Sequence, residues 1–505
     1  MTRWLLKSAG YRYIMEKNKA GDAMRNDLAA IKYRRLTIIV FCLFFAWLLA
    51  FPFEGRILYA LADYYNVPVQ QFVFGTMAAH FIGLILCGFL VKSLKAAKRL
   101  ILGSIALCTA ASGVFFLPPS FLWTGALLMA SLMAGCSVAA WGFFLKSGTP
   151  KNERLKTMAD GLIFSNILMI LLNMTAINVS PHVGLGLSML VLGMGFIFAL
   201  KLPQKEEANN HEQITVSVDH NSPARIWKPL SFLCLFIVVI TINSGLMYQV
   251  QGPAFSHLEW LTIWYWSFPY IAALFVMRNL DNKVNRAYIL YVAIAMIGFS
   301  FIAFLVLDRS ALGYLVVNTL MLGACGVYDL FWWSILGEMS ELHKNPARVL
   351  GVGLSANVLG ILLGGLIGNA LFSNNMQSQN STLLALSVVC VTLVMLPPLN
   401  KRLTGLLINH TYLTALLEMP HQEQTRLIRD FSISEKLTER EIEIASLLLT
   451  GKTYRMIAGE LRVSENTIKT HVRNIYSKAG VQNRTELMNI FLHRQSDSTK
   501  TLESS

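Results

Sequence analysis

The sequence predicts an all-α protein: a twelve-span transmembrane helical bundle followed by a small C-terminal four-helix domain. Three observations predict it. Apolar runs long enough to cross a bilayer recur twelve times. Lys and Arg collect in every second loop between them. Near the C-terminus the pattern switches to polar, capped helices.

The chain has 505 residues, 54% hydrophobic and 14% charged, with a formal net charge of +14. Soluble domains carry about 25% charged residues. The deficit falls in the middle of the chain, while both ends are rich in Lys and Arg. A basic excess suits acidic partners, either anionic lipid headgroups or nucleic acid.

The N-terminal tail, residues 1–35, holds Arg3, Lys7, Arg12, Lys17, Lys19, Arg25, Lys32, Arg34 and Arg35. The first apolar run begins only after it, with no small-residue cleavage site behind, so no cleavable leader is expected.

A membrane helix needs about 20 apolar residues. Such runs start near Leu36, Phe72, Leu100, Phe121, Ala159, Val183, Pro229, Trp260, Tyr288, Leu312, Leu350 and Thr382. The third, sixth and ninth are the shortest.

One set of loops carries Lys92, Lys95, Lys98 and Arg99; Lys146, Lys151, Arg154 and Lys156; Lys201, Lys205, Arg225 and Lys228; Arg278, Lys283 and Arg286; and Lys344 and Arg348. The alternate loops carry only Arg56 and Arg309. Cytoplasmic loops hold the excess of Lys and Arg. The first set is therefore expected in the cytoplasm, and with an even number of spans both termini as well.

The long polar loop 201–228 divides the membrane part, residues 36–400, into six plus six spans. Span eleven, "RVLGVGLSANVLGILLGGLIGNALF", is rich in glycine, with Asn357 inside it, and small residues permit close helix packing. Two six-helix halves joined by a long inner loop resemble the major facilitator superfamily. That family's loop between spans two and three has a Gly-x-x-x-Asp-Arg core; here it reads "VKSLKAAKRL", with no acid. The matching loop after span eight keeps Asp281, Lys283 and Arg286. The missing acid weighs against active transport.

The seven cysteines, Cys42, Cys87, Cys108, Cys136, Cys234, Cys325 and Cys390, lie in apolar runs without metal-ligand spacing and read as small hydrophobes. Residues 401–436 read as an amphipathic juxtamembrane segment and linker.

Residues 437–494 then form the soluble domain, and 495–505 a disordered tail. Thr438 with Glu441 makes a capping box, and Gly451 ends that helix. In the second helix Tyr454, Ile457, Ala458 and Leu461 share one face. Arg462-Val463 makes a turn, and Ser464 caps the third helix, which Gly480 stops. Asn483 and Glu486 cap a fourth helix bearing Leu487, Ile490 and Phe491.

The third helix buries Ile468, Val472, Ile475 and Ala479 as one stripe. Asn466, Thr470, Arg473 and Ser477 face the other way, with Lys469 on the flank. Amide, hydroxyl and guanidinium groups on a helix with a buried back suit the edges of bases in the major groove. Helix, tight turn and capped second helix together make a helix-turn-helix.

The residues Leu437-Thr438-Glu439-Arg440-Glu441, Gly451, Ile457-Ala458, Ser464 to His471, Lys478-Ala479-Gly480-Val481 and Arg484-Thr485-Glu486-Leu487 closely resemble the LuxR-type (GerE-type) helix-turn-helix. The resemblance implies that Lys469, Thr470 and Arg473 face the groove, that Lys452 and Thr453 approach phosphates, and that the fourth helix forms a dimer contact. Tyr454 and Met456 stand where the family often has Asn and Glu. His471 points toward the buried side.

No nucleotide-binding loop, zincin motif or kinase signature occurs, so the chain reads as a non-enzyme without metal or cofactor. The membrane domain stands where such relatives carry an input module, and it is the expected sensor. Ionisable groups in lipid usually face the interior. Asp329 in "CGVYDLFWWSIL", with Trp332 and Trp333 nearby, is the leading ligand candidate, joined by His80, Asn173 and Asn243. Glu54, Arg56 and Glu259 lie near the outer mouth, and "EWLTIWYWSFPY" supplies aromatics for an interfacial belt.

Fusions of a facilitator-like domain to a LuxR-type domain occur in bacteria, and this chain resembles them along its length. The resemblance implies a membrane-anchored transcription regulator of the inner membrane. Its expected partners are promoter DNA, a small-molecule ligand, membrane lipid and a second copy of itself, with RNA polymerase a further candidate. A transporter carrying a DNA-binding regulatory domain and a simple membrane scaffold stay open as rivals.

Overall fold

The computed structural model describes residues 31–53, 55–149, 153–204, 224–280, 286–373, 378–418, 429, 436–449, 454–481, 486, 487 and 490. Helices account for nearly all of them, and no strand occurs among the described residues. Two compact units divide the chain, one within Met1–Glu206 and Leu230–Leu396, the other within Glu207–Pro229 and Pro397–Ser505.

The membrane helices number twelve among the described residues. They are span 1 Ile31–Ala50, span 2 Phe72–Leu90, span 3 Leu94–Phe116, span 4 Phe121–Gly148, span 5 Arg154–Asn178, span 6 Pro181–Leu200, span 7 Ile226–Ala254, span 8 Ser256–Arg278, span 9 Tyr288–Val306, span 10 Ala311–Leu342, span 11 Pro346–Leu371 and span 12 Gln379–Leu403. Each expected span is found. Several begin a few residues earlier than the hydropathy suggests, because polar caps such as Ser93 and Ser310 set the true helix starts.

Close backbone approach fixes the packing. Span 11 lies on span 7 so tightly that a Cβ at Gly364 would stand 2.1 Å from the Ile242 carbonyl oxygen. The glycine-rich run of span 11 thus does what its composition predicts. Span 2 packs against spans 4 and 11, and span 10 against spans 8 and 9. Span 7 departs from α geometry at a π-helical turn, Met247–Gln251.

At the end of the bundle that bears the basic loops, the halves are tied by polar bonds. Arg154 at the start of span 5 is 4% exposed, and its Nη2 donates to Glu341 Oε1 at 2.6 Å. Asp160 in span 5 accepts from Arg34 Nη2 at 3.2 Å and from Arg278 Nη2 at 3.2 Å. Lys146 Nζ donates to the Ser340 and His343 carbonyls, and Asn345 Nδ2 to those of Gly88 and Val91. Among the cations used above for orientation, several are therefore structural ties.

Lys98 belongs with them. Its ammonium donates to Leu200 O at 2.7 Å and Leu202 O at 2.5 Å. It satisfies carbonyls that span 6 leaves open at its C-terminus. The first turns of span 3 thus hold span 6 through a helix-capping lysine.

The last membrane helix runs without a break over Ser378–Glu418, with Pro397 and Pro398 inside it. The juxtamembrane segment expected from residue 401 therefore begins as a continuation of span 12. Prolines are tolerated in membrane helices because neighbouring groups satisfy the freed backbone. Residues 419–428 and 430–435, with the rest of the expected linker, lie outside the described residues, as do the basic tail 1–30, most of loop 201–228, and Asp281 and Lys283.

Of the cysteines, Cys87, Cys108, Cys136 and Cys325 are buried, while Cys390 is exposed on span 12; all seven are free thiols.

In the second unit three helices are described in full: α1 Glu439–Leu449, α2 Tyr454–Glu460 and α3 Glu465–Lys478. They enclose one core of Ile444, Ala445, Leu448, Leu449, Ile457, Ala458, Ile468, Val472, Ile475 and Leu487.

Candidate nucleic-acid interface and membrane-interior site

The capping box opens α1. Thr438 N donates to Glu441 Oε2 at 2.9 Å, and Glu441 N to Thr438 Oγ1 at 3.4 Å. The Glu441 carboxylate is buried, and it also accepts from Lys478 Nζ at 2.5 Å, which ties α1 to the last turn of α3. Burial alone would raise the Glu441 pKa; the bonds from Lys478 and Thr438 outweigh it and hold the carboxyl below its ordinary value.

Arg462, in the turn between α2 and α3, adopts φ +50°. This left-handed residue lets the chain reverse within two positions, and Val463 N closes the turn on Ala458 O at 3.0 Å. Ser464 Oγ then caps α3 by accepting from Thr467 N at 3.1 Å. At the other end Gly480 has φ +65°, and Val481 N bonds Tyr476 O at 2.9 Å. That pair is a Schellman stop, which favours glycine at this position.

With its ends fixed, α3 presents the expected faces. Ile468, Val472 and Ile475 are buried, and Ala479 packs on the same core. Asn466, Lys469, Thr470, Arg473 and Ser477 are all exposed. Lys469 pairs with Glu465 one turn back at 3.1 Å, and Thr470 Oγ1 donates to the Asn466 carbonyl at 3.1 Å. Among the described residues nothing engages the Arg473 guanidinium. A helix of 14 residues is about 21 Å long, and one face of it is a row of base-reading groups. His471 is half-buried. Lys452, Thr453, Gly451, Asn483 and Phe491 lie outside the described residues. Leu487 is fully buried and Ile490 packs beside it, so this side of the fourth helix closes the core.

In the membrane unit Asp329 lies on span 10. Trp333 stands one turn further along that helix, and its ring packs on Phe41, Phe45 and Trp141 of the other half, so Asp329 shares the side of the helix that faces spans 1 and 4. It is half-buried, between fully buried Tyr328 and Leu330. Tyr270 of span 8 donates its hydroxyl proton to Asp329 Oδ2 at 2.9 Å. Gly326 permits this contact, because a Cβ there would stand 2.7 Å from the Tyr270 carbonyl oxygen.

The two tryptophans separate. Trp332 lies against Tyr328, with ring centroids 4.9 Å apart, and its buried Nε1 has no partner among the described residues. Tyr328 in turn meets Ser244 Oγ of span 7 at 3.3 Å. Trp333 joins Phe41 and Phe45 of span 1 and Trp141 of span 4, with centroids 5.7, 6.3 and 6.3 Å away. This cluster bridges the two halves one turn from Asp329, on the side toward the basic loops.

The other candidates stand apart from Asp329 in sequence and contact. His80 is buried in span 2, where its Nδ1 meets Ser131 O of span 4 at 3.2 Å, and its ring lies 5.2 Å from Phe53. Asn173 Oδ1 and both amide atoms of Asn243 are buried without partners among the described residues. At the far end of the bundle Trp260 and Trp264 are exposed, as a belt requires, while Glu54 lies outside the described residues. Sequence reasoning missed Tyr270 and the Phe41–Phe45–Trp141 cluster. The only signal for Tyr270 was its place in an aromatic run, which reads equally well as belt.

Residues 435–491 match the family described as bacterial regulatory proteins, luxR family (GerE); this segment is a LuxR-type helix-turn-helix domain. Among solved structures the chain is similar to the human organic anion transporter MFSD10 (TETRAN). The TM-score is 0.56 at 14% identity, covering 72% of this chain and 99% of that one. It is also similar to FucP, a Major Facilitator Superfamily transporter solved in its outward conformation, with a TM-score of 0.49 and 14% identity over 72% and 98% of the chains. The membrane part has the major-facilitator-like fold. The chain is a multi-pass membrane protein with a DNA-binding domain of a type that suggests transcription regulation.

Proposed function

We propose that this chain is a one-component transcription regulator held in the bacterial inner membrane. Its twelve-span domain senses a small molecule, and its LuxR-type domain binds promoter DNA from the cytoplasmic side. The observation that carries this reading is the exposed row Asn466, Lys469, Thr470, Arg473 and Ser477 on a capped α3, in the same chain as twelve membrane helices.

The positive-inside bias supports cytoplasmic termini. Lys452 and Thr453 hold phosphates in this reading, and a second copy is recruited on paired half-sites. Residues 36–400 serve as the sensor, 401–436 as the connection and 437–494 as the DNA-binding domain. Asp329, with Trp332 and Trp333 on the next turn, is the core of the signal site; Asn173 and Asn243, with amide atoms unpartnered among the described residues, and His80 are secondary candidates.

A reporter fused to the neighbouring promoter, screened against a metabolite library in cells expressing the full chain, tests the reading. A compound that changes expression only when both Asp329 and Arg473 are intact supports it. No response to any compound, with the operator still occupied, would leave a DNA-binding membrane protein without a sensor.

One observation favours a second reading, a facilitator-type transporter with an attached regulatory domain. The ties Arg154–Glu341 and Asp160–Arg278 join the halves at one end through breakable ion pairs. Uptake of the inducing compound by vesicles containing the chain separates the two.

A further inference from the structure

Asp329 is a carboxylate placed inside a membrane domain with a neutral partner. Tyr270 supplies one hydrogen bond and no charge. Among the described residues no Lys, Arg or His pairs with it; the ion pairs of the membrane unit gather at Glu153, Asp160 and Glu341 instead. An acidic group in the low-dielectric interior is costly unless something offsets its charge. Those carboxylates are each matched by an arginine within the structure, and Asp329 is not.

The surroundings point the same way. Asp329 is only half-buried, on the side of span 10 that it shares with Trp333 one turn on. One turn toward the basic loops, Trp333, Trp141 and Phe41 pack ring against ring across the halves, with Phe41 and Trp141 centroids 4.4 Å apart. Phe45 stands one turn above Phe41 on span 1, which runs antiparallel to span 10, so it stands on the Asp329 side of this aromatic floor. Phe45 is likewise only half-buried. Ring faces attract cations, and more strongly when water is excluded. A carboxylate repels an anion and gains nothing from an apolar neutral molecule.

We propose that this site takes a small organic cation, an ammonium-type head with an apolar body, with the charge at Asp329 and the body over the Phe45–Trp333 rings. The proposal rests on the reading of Asp329 as the signal site and adds the chemical class of the signal.

The test uses the full chain in lipid nanodiscs and three probes of matched size: benzyltrimethylammonium, its neutral carbon isostere neopentylbenzene, and phenylmethanesulfonate. Tryptophan fluorescence reports binding, since Trp141 and Trp333 line the floor. The cation is expected to give a saturable change. Asp329→Asn is expected to weaken it about tenfold or more, the effect of losing one charge-assisted contact. Tyr270→Phe keeps the charge, so it is expected to bind the cation within a few-fold of the parent. Asp308→Asn, at an exposed turn, controls for nonspecific charge effects.

Equal binding of the neutral isostere or the sulfonate overturns the proposal. So does the absence of saturable cation binding, or an Asp329→Asn curve that matches the parent. If Tyr270→Phe loses binding as fully as Asp329→Asn, the pair is structural and the proposal also falls. The outcome is separable from the sensing reading. Cation binding without any promoter response sinks sensing alone, and an Asp329-dependent promoter response to a neutral or anionic compound sinks this proposal alone.

Discussion

Tyr270 and Asp329 meet across spans 8 and 10, hydroxyl to carboxylate at 2.9 Å, because Gly326 lets the two backbones touch. The bond satisfies one carboxylate lone pair and supplies no countercharge. Asp329→Asn keeps the shape and removes the charge. We expect normal membrane insertion and operator occupancy but a changed promoter dose–response at equal expression. A reporter titration checks this; superimposed curves would reduce Asp329 to a packing residue.

On α3, Arg473 and Lys469 project from a helix whose back is locked in the core. Arg473→Ala and Lys469→Ala should each cost about 1–3 kcal/mol in operator affinity and relax base preference. Lys452→Ala should weaken all sequences alike and reduce the salt slope by about one. Footprinting and salt titrations on operator and random DNA separate the two behaviours. An unchanged Arg473→Ala footprint would mean another face of the domain reads the bases.

The Glu441–Lys478 pair predicts a pH dependence. The Glu441 carboxyl titrates below its ordinary 4.5 in the folded domain. Its contribution to stability is therefore complete above about pH 4.5, the value it takes on unfolding, and is lost as pH falls through the lower folded value. Glu441→Gln should flatten that part of the acid limb. Lys478→Ala should destabilise the domain by about 1–3 kcal/mol, since the buried carboxylate loses its charged donor. Thermal unfolding of the DNA-binding fragment between pH 3 and 7 (on the order of one unit per step) follows both.

At the basic end of the bundle, Arg154 and Glu341 form a nearly buried bridge at 2.6 Å between the halves. Removing one partner of such a pair costs about 3–5 kcal/mol. Arg154→Ala should lower the unfolding temperature of the purified protein. It should also speed labelling of a cysteine introduced at Ser340, a residue 0% exposed in the structure. Unaltered labelling would show that the other ties hold this end closed alone.

The architecture was legible because its signals are local. A run of apolar residues marks a span whatever it packs against, and caps such as Ser464 or stops such as Gly480 act within a few residues of themselves. The α3 face was legible for the same reason, since Ile468, Val472 and Ile475 fix its rotation. Partners distant in sequence were not. Asp160 lies 118 residues from Arg278, and nothing in either segment names the other. Lys98 reads as one more loop cation until its two carbonyl acceptors on span 6 are seen. The continuation of span 12 to Glu418 was hidden by Pro397 and Pro398, which in water would end a helix. Trp332 and Trp333, adjacent in the chain, serve different clusters, because neighbours on a helix point about 100° apart.

The central claim is that a chain fixed in the membrane reads DNA through α3. Genome-wide crosslinking of the full-length protein, recovered from the membrane fraction, tests it most directly. Discrete promoter sites are expected for the parent chain. Their loss is expected in the Lys469→Ala, Arg473→Ala double variant at an unchanged membrane level. Sites that persist in the double variant, or no enrichment of DNA with the membrane-held parent, would contradict it.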